Sequence, residues 1–197
     1  MIKAIIFDLN GVFIQGPYLS ERYNEKYGVE KDDFFRVMDN ILQIVRLPDA
    51  GDTYSHFKPS LKKWDIKMSR ADFYDFWFKS EKMVPSMVRM VKELKKDNFQ
   101  IYILSNNFKE RTKHYLKVYP KFKNLFDKMY FSWQTGYRKD NIKAYRNVLK
   151  DNNLKANECV FFDDKDKMVE MAESAGIHSY KFRDARGVKR VINKLSK

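Results

Sequence analysis

The stretch Ile5–Phe13, which reads IIFDLNGVF, joins an apolar run to an acid. Its first three residues predict a short β-strand that is buried on both faces, and Asp8 falls at the carboxyl end of that strand. In open parallel sheets, ligands bind at the carboxyl ends of the strands. Asp8 is therefore a candidate functional carboxylate. Taken alone, however, it is better explained as a turn residue, because Asp often follows a strand.

A second apolar run, Ile101–Leu104, is followed by Ser105 and Asn106. The run has no polar alternation, which again predicts a strand that is covered on both faces. A serine hydroxyl at that place can cap the next helix or hold an anion there.

Two later segments add charged groups. A turn places Lys139 just before a predicted helix, and a third apolar run, which begins at Cys159, ends in the adjacent acids Asp163 and Asp164. Because parallel strands end at the same edge of a sheet, we expect these groups to meet there. Carboxylates suit a hard divalent cation, and a hydroxyl with an ammonium group suits a phosphate or another anion.

In this order the polar groups resemble the four motifs of the haloacid dehalogenase superfamily, which are an aspartate nucleophile, a Ser or Thr, a Lys and an acidic pair. The matching residues are Asp8, Ser105, Lys139, and Asp163 with Asp164. The resemblance spans nearly the whole chain, and four motifs in sequence are much more specific than any one of them. It implies an α/β fold, a Rossmann-like, doubly wound parallel sheet with an inserted α-helical cap domain.

The resemblance also implies roles for these side chains. Asp8 is expected to act as the nucleophile, and Lys139 to neutralise both that carboxylate and the transferring group. Ser105 and Asn106, with Lys139, are expected to bind the anionic group of the substrate. On its own, Lys139 is equally explained as a solvated turn residue, and Arg138 is expected at the surface.

The acidic pair has two explanations. Asp163 and Asp164 can cap the helix that follows, but adjacent ionised carboxylates repel, and a divalent cation removes that cost. We therefore favour a metal site. The resemblance implies Mg²⁺ held by Asp8, Asp164 and the backbone carbonyl of Asn10, while Asp163 supports the loop or binds through water.

Asn10 departs from the family pattern at a catalytic position. Phosphatases and mutases of the superfamily usually have a second Asp there, which acts as general acid and base. An amide cannot supply or take up a titrating proton. Since such assistance is typically worth about 10²- to 10⁴-fold, a phosphatase with Asn10 should be slow toward poor leaving groups, or should draw its proton from the substrate or a water.

We predict a Mg²⁺-dependent hydrolase, a phosphatase that acts on a small phosphorylated metabolite through an aspartyl-phosphate intermediate. The acidic pair favours phosphate chemistry, because the dehalogenases of the superfamily need no cation. Superfamily members without the second Asp include dehalogenases and phosphonate hydrolases. Two alternatives stay open: a 2-haloacid dehalogenase-type hydrolase that forms an aspartyl ester, and a catalytically impaired protein that binds a polyanion such as RNA.

Composition agrees with a cytoplasmic enzyme. The chain has 197 residues and a net charge of +13, but its lysines are scattered, which favours a solvated surface over a nucleic-acid face. The single cysteine, Cys159, lies in an apolar run and predicts no disulfide. Met1 leads straight into the first strand, so we expect neither a signal peptide nor a membrane partner. The expected partner is a small phosphorylated or other anionic substrate.

More than ninety residues separate the first two motif strands, which is far more than a crossover requires. We assign residues 1–14 and 84–197 to a Rossmann-like core domain and residues 15–83 to a helical cap domain. Within the cap we predict helices over 19–27, 32–46 and 69–79, with a loop that contains Gly51 and Pro59. After it, helices and strands alternate, which predicts a parallel sheet with helices on both faces. The predicted helices cover residues 85–96, 109–118, 141–151, 167–175 and 185–195, and the predicted strands cover residues 100–104, 129–131, 160–162 and 178–181.

Overall fold

The computed structural model describes residues 1–195. Its strands are β1 (Ala4–Phe7), β2 (Ile14–Gln15), β3 (Lys82–Met83), β4 (Gln100–Ser105), β5 (Lys128–Phe131), β6 (Cys159–Asp163) and β7 (His178–Lys181). Five of them form a parallel sheet in the order β5-β4-β1-β6-β7. The predicted α/β fold with a Rossmann-like parallel sheet is confirmed. β2 and β3 pair with each other as an antiparallel ribbon.

Helices cover this sheet and form a separate group between β2 and β3. They are α1 (Leu19–Tyr27), α2 (Lys31–Val45), α3 (Thr53–Lys63), α4 (Arg70–Phe78), α5 (Pro85–Lys96), α6 (Lys109–Val118), α7 (Phe122–Leu125), α8 (Ser132–Thr135), α9 (Ile142–Asp151), α10 (Asp166–Ser174) and α11 (Ala185–Leu195). A 3-10 turn, Ala156–Glu158, precedes β6.

β1 lies at the centre of the sheet because it is apolar on both faces. Its four residues are fully buried. Ile5 and Phe7 pack in a cluster with Met87 of α5 and Val188 of α11. Ala4 and Ile6 pack on the opposite face, with Tyr145 of α9 and Ala172 of α10. Helices therefore cover both faces of the sheet and leave its carboxyl edge as the place where polar groups gather.

The helices α1–α4, which we call the helical insert, have an apolar cluster of their own. It includes Tyr23, Phe34, Phe57 and Phe73, all of them buried. Phe108, which follows β4, also belongs to this cluster, and its ring centroid lies 5.0 Å from that of Trp77. One aromatic side chain from the sheet side thus anchors the insert.

The predicted loop around Pro59 is wrong, because the structure has α3 there. Asp52 caps the helix by accepting a hydrogen bond from the Ser55 backbone N–H, and Phe57 and Leu61 bury one face of it. Packing of that face outweighs the local cost of an interior proline. The predictions elsewhere agree with the structure to within one or two residues. The exceptions are short elements that were not predicted, namely β2, β3, α7, α8 and the 3-10 turn before β6.

Cys159 is buried and has a free thiol. Within residues 1–195, no helix is both long enough and apolar enough to cross a membrane.

Candidate active site

The candidate site lies at the carboxyl edge of the sheet, where three neighbouring strands end. Asp8 directly follows β1, and its backbone N–H donates to the carbonyl of Phe162, at 2.9 Å. Ser105 is the last residue of β4, and Asp163 is the last residue of β6. Because β1 pairs with both strands, their ends lie side by side. The structure therefore brings together three of the predicted residues.

Lys139 reaches this edge from the turn between α8 and α9. Its ammonium group lies 2.8 Å from Asp8 Oδ2 and 2.5 Å from Asp163 Oδ2. The Lys139 side chain is only 3% exposed. Burial alone would lower the pKa of Lys139, but the two carboxylates outweigh it and raise that pKa above its ordinary value. Lys139 is therefore a fixed cation, not a solvated turn residue.

Asn106 helps to place this lysine. Its side-chain oxygen accepts a hydrogen bond of 2.7 Å from the Lys139 backbone N–H. This contact gives Asn106 a structural task that the sequence did not predict, in addition to any contact with a ligand.

Three carboxylates form a cluster that fits a cation. Asp8, Asp163 and Asp164 each offer an oxygen, and these atoms lie within 4.8 Å of one another. Asp164 Oδ1 is buried and has no hydrogen-bond partner among residues 1–195. Burial and the nearby Asp8 raise the pKa of Asp164, and burial raises the pKa of Asp163 as well. Three carboxylates against the one ammonium of Lys139 leave two excess negative charges, which a divalent cation matches.

Gly11 shapes the same cluster. A Cβ on Gly11 would lie 2.7 Å from the carboxylate of Asp164, closer than real contacts allow, and the φ of Gly11 is +89°. Glycine is needed here for two reasons, the backbone conformation and the close approach of the acid. The Asp164 carboxylate thus occupies the space that a side chain at position 11 would need.

Comparison with known proteins agrees with these motifs. Residues 2–176 match the family model for haloacid dehalogenase-like hydrolases. The chain belongs to that family. The order of Asp8, Ser105, Lys139 and the acidic pair, on which the predicted resemblance was based, thus identified the family correctly.

Solved structures of haloacid dehalogenase (HAD) proteins share the fold. A predicted HAD-like family hydrolase from Porphyromonas gingivalis has a TM-score of 0.76 at 23% identity, with 98% of each chain covered. The HAD family enzyme BT-2542 of Bacteroides thetaiotaomicron, in complex with magnesium and inorganic phosphate, has a TM-score of 0.76 at 19% identity, covering 93% of this chain and 95% of that one. An L-2-haloacid dehalogenase has a TM-score of 0.74 at 14% identity, with 98% and 99% covered.

In this HAD protein the hydroxyl group of the second motif is free to bind a ligand. Ser105 Oγ is buried, and no group in the part of the chain that the structure describes forms a hydrogen bond with it. The neighbouring Asn107 is fully buried, and its backbone N–H donates to Ser132 Oγ at 3.1 Å. A buried, unpaired hydroxyl is costly. Its place beside Asp8 suits an anionic ligand that accepts its proton in a hydrogen bond.

Asn10 is held in a partly buried hydrogen-bond network. Its side-chain N–H donates to the hydroxyl of Tyr115 at 2.7 Å, and its side-chain oxygen accepts from Asn107 at 2.9 Å. The Tyr115 hydroxyl in turn donates to Glu81, at 2.6 Å, and Glu81 pairs with Arg111. Burial raises the pKa of Tyr115 well above its ordinary value, so the hydroxyl keeps its proton. Both ends of the Asn10 amide are therefore used.

Three residues of this network were not predicted from the sequence: Glu81, Tyr115 and Asn107. Tyr115 lies 105 residues from the Asn10 that it contacts, and no local pattern marks it. The position of Asn107, directly after the second motif, could have marked it as a site residue. Its role, however, depends on contacts with Asn10 and Ser132, which lie elsewhere in the sequence.

Proposed function

We propose that the protein is a Mg²⁺-dependent phosphatase that hydrolyses a small phosphorylated metabolite through an aspartyl-phosphate intermediate. One observation carries the proposal: the buried, unpartnered oxygen of Asp164 lies in a cluster of three carboxylates next to a buried lysine. The complex of the structural neighbour BT-2542 with magnesium and inorganic phosphate supports the same reading.

Asp8, Asp164 and the backbone carbonyl of Asn10 would hold the cation, with Asp163 next to it. Asp163 already accepts hydrogen bonds from Lys139 and from the backbone N–H of Lys165, which suits a supporting role. When bound, Mg²⁺ supplies positive charge for the phosphoryl oxygens. Lys139, whose ammonium group lies 2.8 Å from Asp8, supplies further positive charge.

In the first step, an Asp8 carboxylate oxygen bonds to phosphorus while the bond from phosphorus to the leaving oxygen breaks. Two donors orient Asp8 for this attack, the Leu9 backbone N–H at 2.7 Å and Lys139 at 2.8 Å. Ser105 donates to a phosphoryl oxygen. In the second step, a water oxygen bonds to phosphorus while the bond between phosphorus and the Asp8 oxygen breaks. Asp8 is regenerated as a carboxylate, and the protons of the water leave with the phosphate or pass to solvent.

Asn10 supplies no proton to the leaving oxygen. That oxygen takes its proton from water or from the phosphoryl group itself. The missing assistance is worth about 10²- to 10⁴-fold, so we expect the enzyme to favour leaving groups that need little protonation.

The helical insert is proposed to act as the cap, with residues 15–83 as its domain and residues 1–14 and 84–197 as the core. The β2–β3 ribbon is the place where the chain leaves the core and returns to it. Thr53 of the insert donates to Glu110, at 2.9 Å, and Arg138 donates to Gln43 of α2. Such contacts hold the insert over the sheet edge, where it excludes water and selects the substrate.

The test is hydrolysis of p-nitrophenyl phosphate with and without Mg²⁺, because its leaving group needs little protonation. We expect activity that EDTA abolishes and that Asp8→Asn lowers by at least about 10³-fold. Asp75→Asn, an exposed change on α4, is the matched control and should leave the rate unchanged. Chloride release from a 2-haloacid without metal would instead establish carbon chemistry. No turnover of any activated ester, together with tight, salt-sensitive RNA binding, would establish a docking protein.

A further inference from the structure

A chain of hydrogen bonds leads from the second motif through Asn10 to the helical insert. The Phe108 backbone N–H donates to Asn107 Oδ1, at 3.0 Å. Asn107 Nδ2 therefore faces Asn10, and it donates to Asn10 Oδ1 at 2.9 Å. Asn10 Nδ2 donates to the Tyr115 hydroxyl at 2.7 Å, and that hydroxyl donates to Glu81 at 2.6 Å. All donors in the chain thus point the same way, from Phe108 toward Glu81.

This direction is fixed at both ends of the chain. At the first end the donor is a backbone N–H, which cannot accept. At the other end the acceptor is the Glu81 carboxylate, which forms an ion pair with Arg111 and accepts from it through both oxygens. The side chains of Glu81 and Arg111 are only 9% and 14% exposed, so water cannot readily replace a lost bond. Neither end can reverse its role.

The backbone around Glu81 is held in place as well. Glu81 directly precedes β3, where the insert returns to the core. The Tyr119 hydroxyl donates to the Glu81 carbonyl at 3.4 Å and accepts from the Met83 backbone N–H at 3.2 Å. On the outgoing segment, a Cβ on Gly16 would lie 2.8 Å from the Ser80 carbonyl oxygen, so the two segments are in close contact. Glu81 is therefore an acceptor at a fixed place.

These contacts decide which side chain fits at position 10. Tyr115 has one hydroxyl proton, and Glu81 accepts it. The residue at position 10 must therefore donate to Tyr115, which an amide does and an ionised carboxylate cannot. A protonated carboxyl group there could donate, but its proton would point to Tyr115 and away from a leaving group. One hydroxyl proton cannot serve carboxylates on both of its sides.

We propose that Glu81 and Tyr115 are positioning residues that hold position 10 as a hydrogen-bond donor, and thereby make this enzyme work without a general acid at that position. Asn10 is then part of a built chain, and not an isolated loss of a carboxylate. The catalytic part of this proposal rests on the proposed phosphoryl transfer, whereas the direction of the hydrogen bonds does not. The substrate class that fits is a phosphate ester or anhydride whose leaving group is a weak base.

The test reverses the chain with two substitutions. In Glu81→Gln the amide oxygen can stay with Arg111 while the new N–H group donates to the Tyr115 hydroxyl, which then donates to the carboxylate of Asn10→Asp. Each single variant should raise the unfolding equilibrium constant, measured in urea, by about tenfold, because it leaves one mismatched hydrogen bond. The double variant should unfold at least about tenfold less readily than the product of the two single effects.

Two controls separate this coupling from other causes. Glu25→Gln removes an exposed carboxylate on α1, and combining it with Asn10→Asp should recover nothing. Glu81→Gln could also help Asn10→Asp simply by removing a nearby negative charge. Tyr115→Phe tests this, because it breaks the chain and leaves the charges in place. In that background the coupling between positions 10 and 81 should fall below about twofold. Coupling that persists there, or its absence with Tyr115 present, would overturn the proposal.

A second measurement compares the kcat values for p-nitrophenyl phosphate and phenyl phosphate, whose leaving group is the stronger base. A general acid assists mainly the poorer leaving group, so the double variant should lower the ratio of the two kcat values by at least about tenfold. Asn10→Asp alone should lower it less than about threefold. A purely structural effect would change both rates together. An equal effect of the single and double variants would contradict the positioning role. Failure of the wild type to hydrolyse p-nitrophenyl phosphate would instead count against the proposed function, while the urea measurements would still test the chain.

Discussion

Gly11 shows how a single residue shapes the candidate cation site. We expect Gly11→Ala to weaken Mg²⁺ binding by at least about tenfold, because its Cβ would push the Asp164 carboxylate away from Asp8. The positive φ adds a backbone cost of about 1–2 kcal/mol. Mg²⁺ titration by calorimetry measures the binding loss, and urea denaturation measures the loss in stability.

Gly28→Ala is the matched control for this change. Gly28 also has a positive φ, of +67°, but no atom lies within 4 Å of the Cβ that alanine would add. Gly28→Ala should lose stability through the same backbone strain, but it should bind Mg²⁺ with the affinity of the wild type. Equal Mg²⁺ affinity in both variants would contradict the assignment of Asp164 as a ligand.

Asn10 is the residue where the local network and the family pattern disagree. Asn10→Asp places a carboxylate oxygen against the Tyr115 hydroxyl, whose only proton is donated to Glu81. Two acceptors then face each other in a partly buried place. We expect the free energy of unfolding, measured by urea denaturation, to fall by about 1–3 kcal/mol. We expect the gain in phosphatase rate to stay well below the about 10²- to 10⁴-fold that general acid catalysis typically supplies.

The exposed change Asn40→Asp, on α2, controls for the added charge and should be close to neutral. A gain in phosphatase rate of about 10³-fold or more for Asn10→Asp, with unchanged stability, would contradict this expectation. It would show that the hydrogen-bond network rearranges at little cost and that the wild type lacks only the proton-transfer group.

The sequence predicted the residues of the site that follow strands, and it missed those that approach from elsewhere. Asp8, Ser105 and Asp163 are identified by their place after an apolar run, and Lys139 by the order of motifs. Tyr115 has no such mark, because it meets Asn10 only through the folding of segments that are 105 residues apart. Contacts between distant parts of the chain leave no local pattern.

Among the elements, those with a strong periodic pattern were predicted best. The helix over Pro85–Lys96 has proline at its first position and ends where predicted. The short elements β2 and β3 were not predicted, because two residues carry no periodicity and each is defined only by its partner. The helix α3 was missed for the opposite reason, since Pro59 is a strong local signal that tertiary packing overrides.

The proline in α3 leads to a stability prediction. Pro59 is exposed inside the helix, where a proline cannot donate the backbone hydrogen bond of a helical residue. Pro59→Ala should therefore raise the free energy of unfolding, by up to about 3 kcal/mol. Urea denaturation measures it. Pro48→Ala, in the exposed segment between α2 and α3, removes no such defect and should be neutral or slightly destabilising. A loss of stability in Pro59→Ala would mean that the ring itself is needed.

At the scale of the whole molecule, the excess positive charge sets how stability responds to salt. The chain has 39 Lys and Arg against 26 Asp and Glu. Surface ion pairs such as Lys31–Glu21, whose side chains are 51% and 45% exposed, contribute little and weaken further in salt. The pair of Lys139 with Asp8 is buried and is screened much less.

Self-repulsion among the lysines therefore dominates the response, and salt should stabilise the fold. We expect the thermal midpoint to rise by about 2–4 °C between 20 and 500 mM NaCl, which corresponds to about 1 kcal/mol for a chain of this length. Differential scanning calorimetry measures it. Lys121→Gln with Lys123→Gln removes two exposed charges beside α7, and should reduce the rise. A midpoint that falls with salt would mean that surface ion pairs outweigh the repulsion, so that the scattered lysines are paired more effectively than their net excess implies.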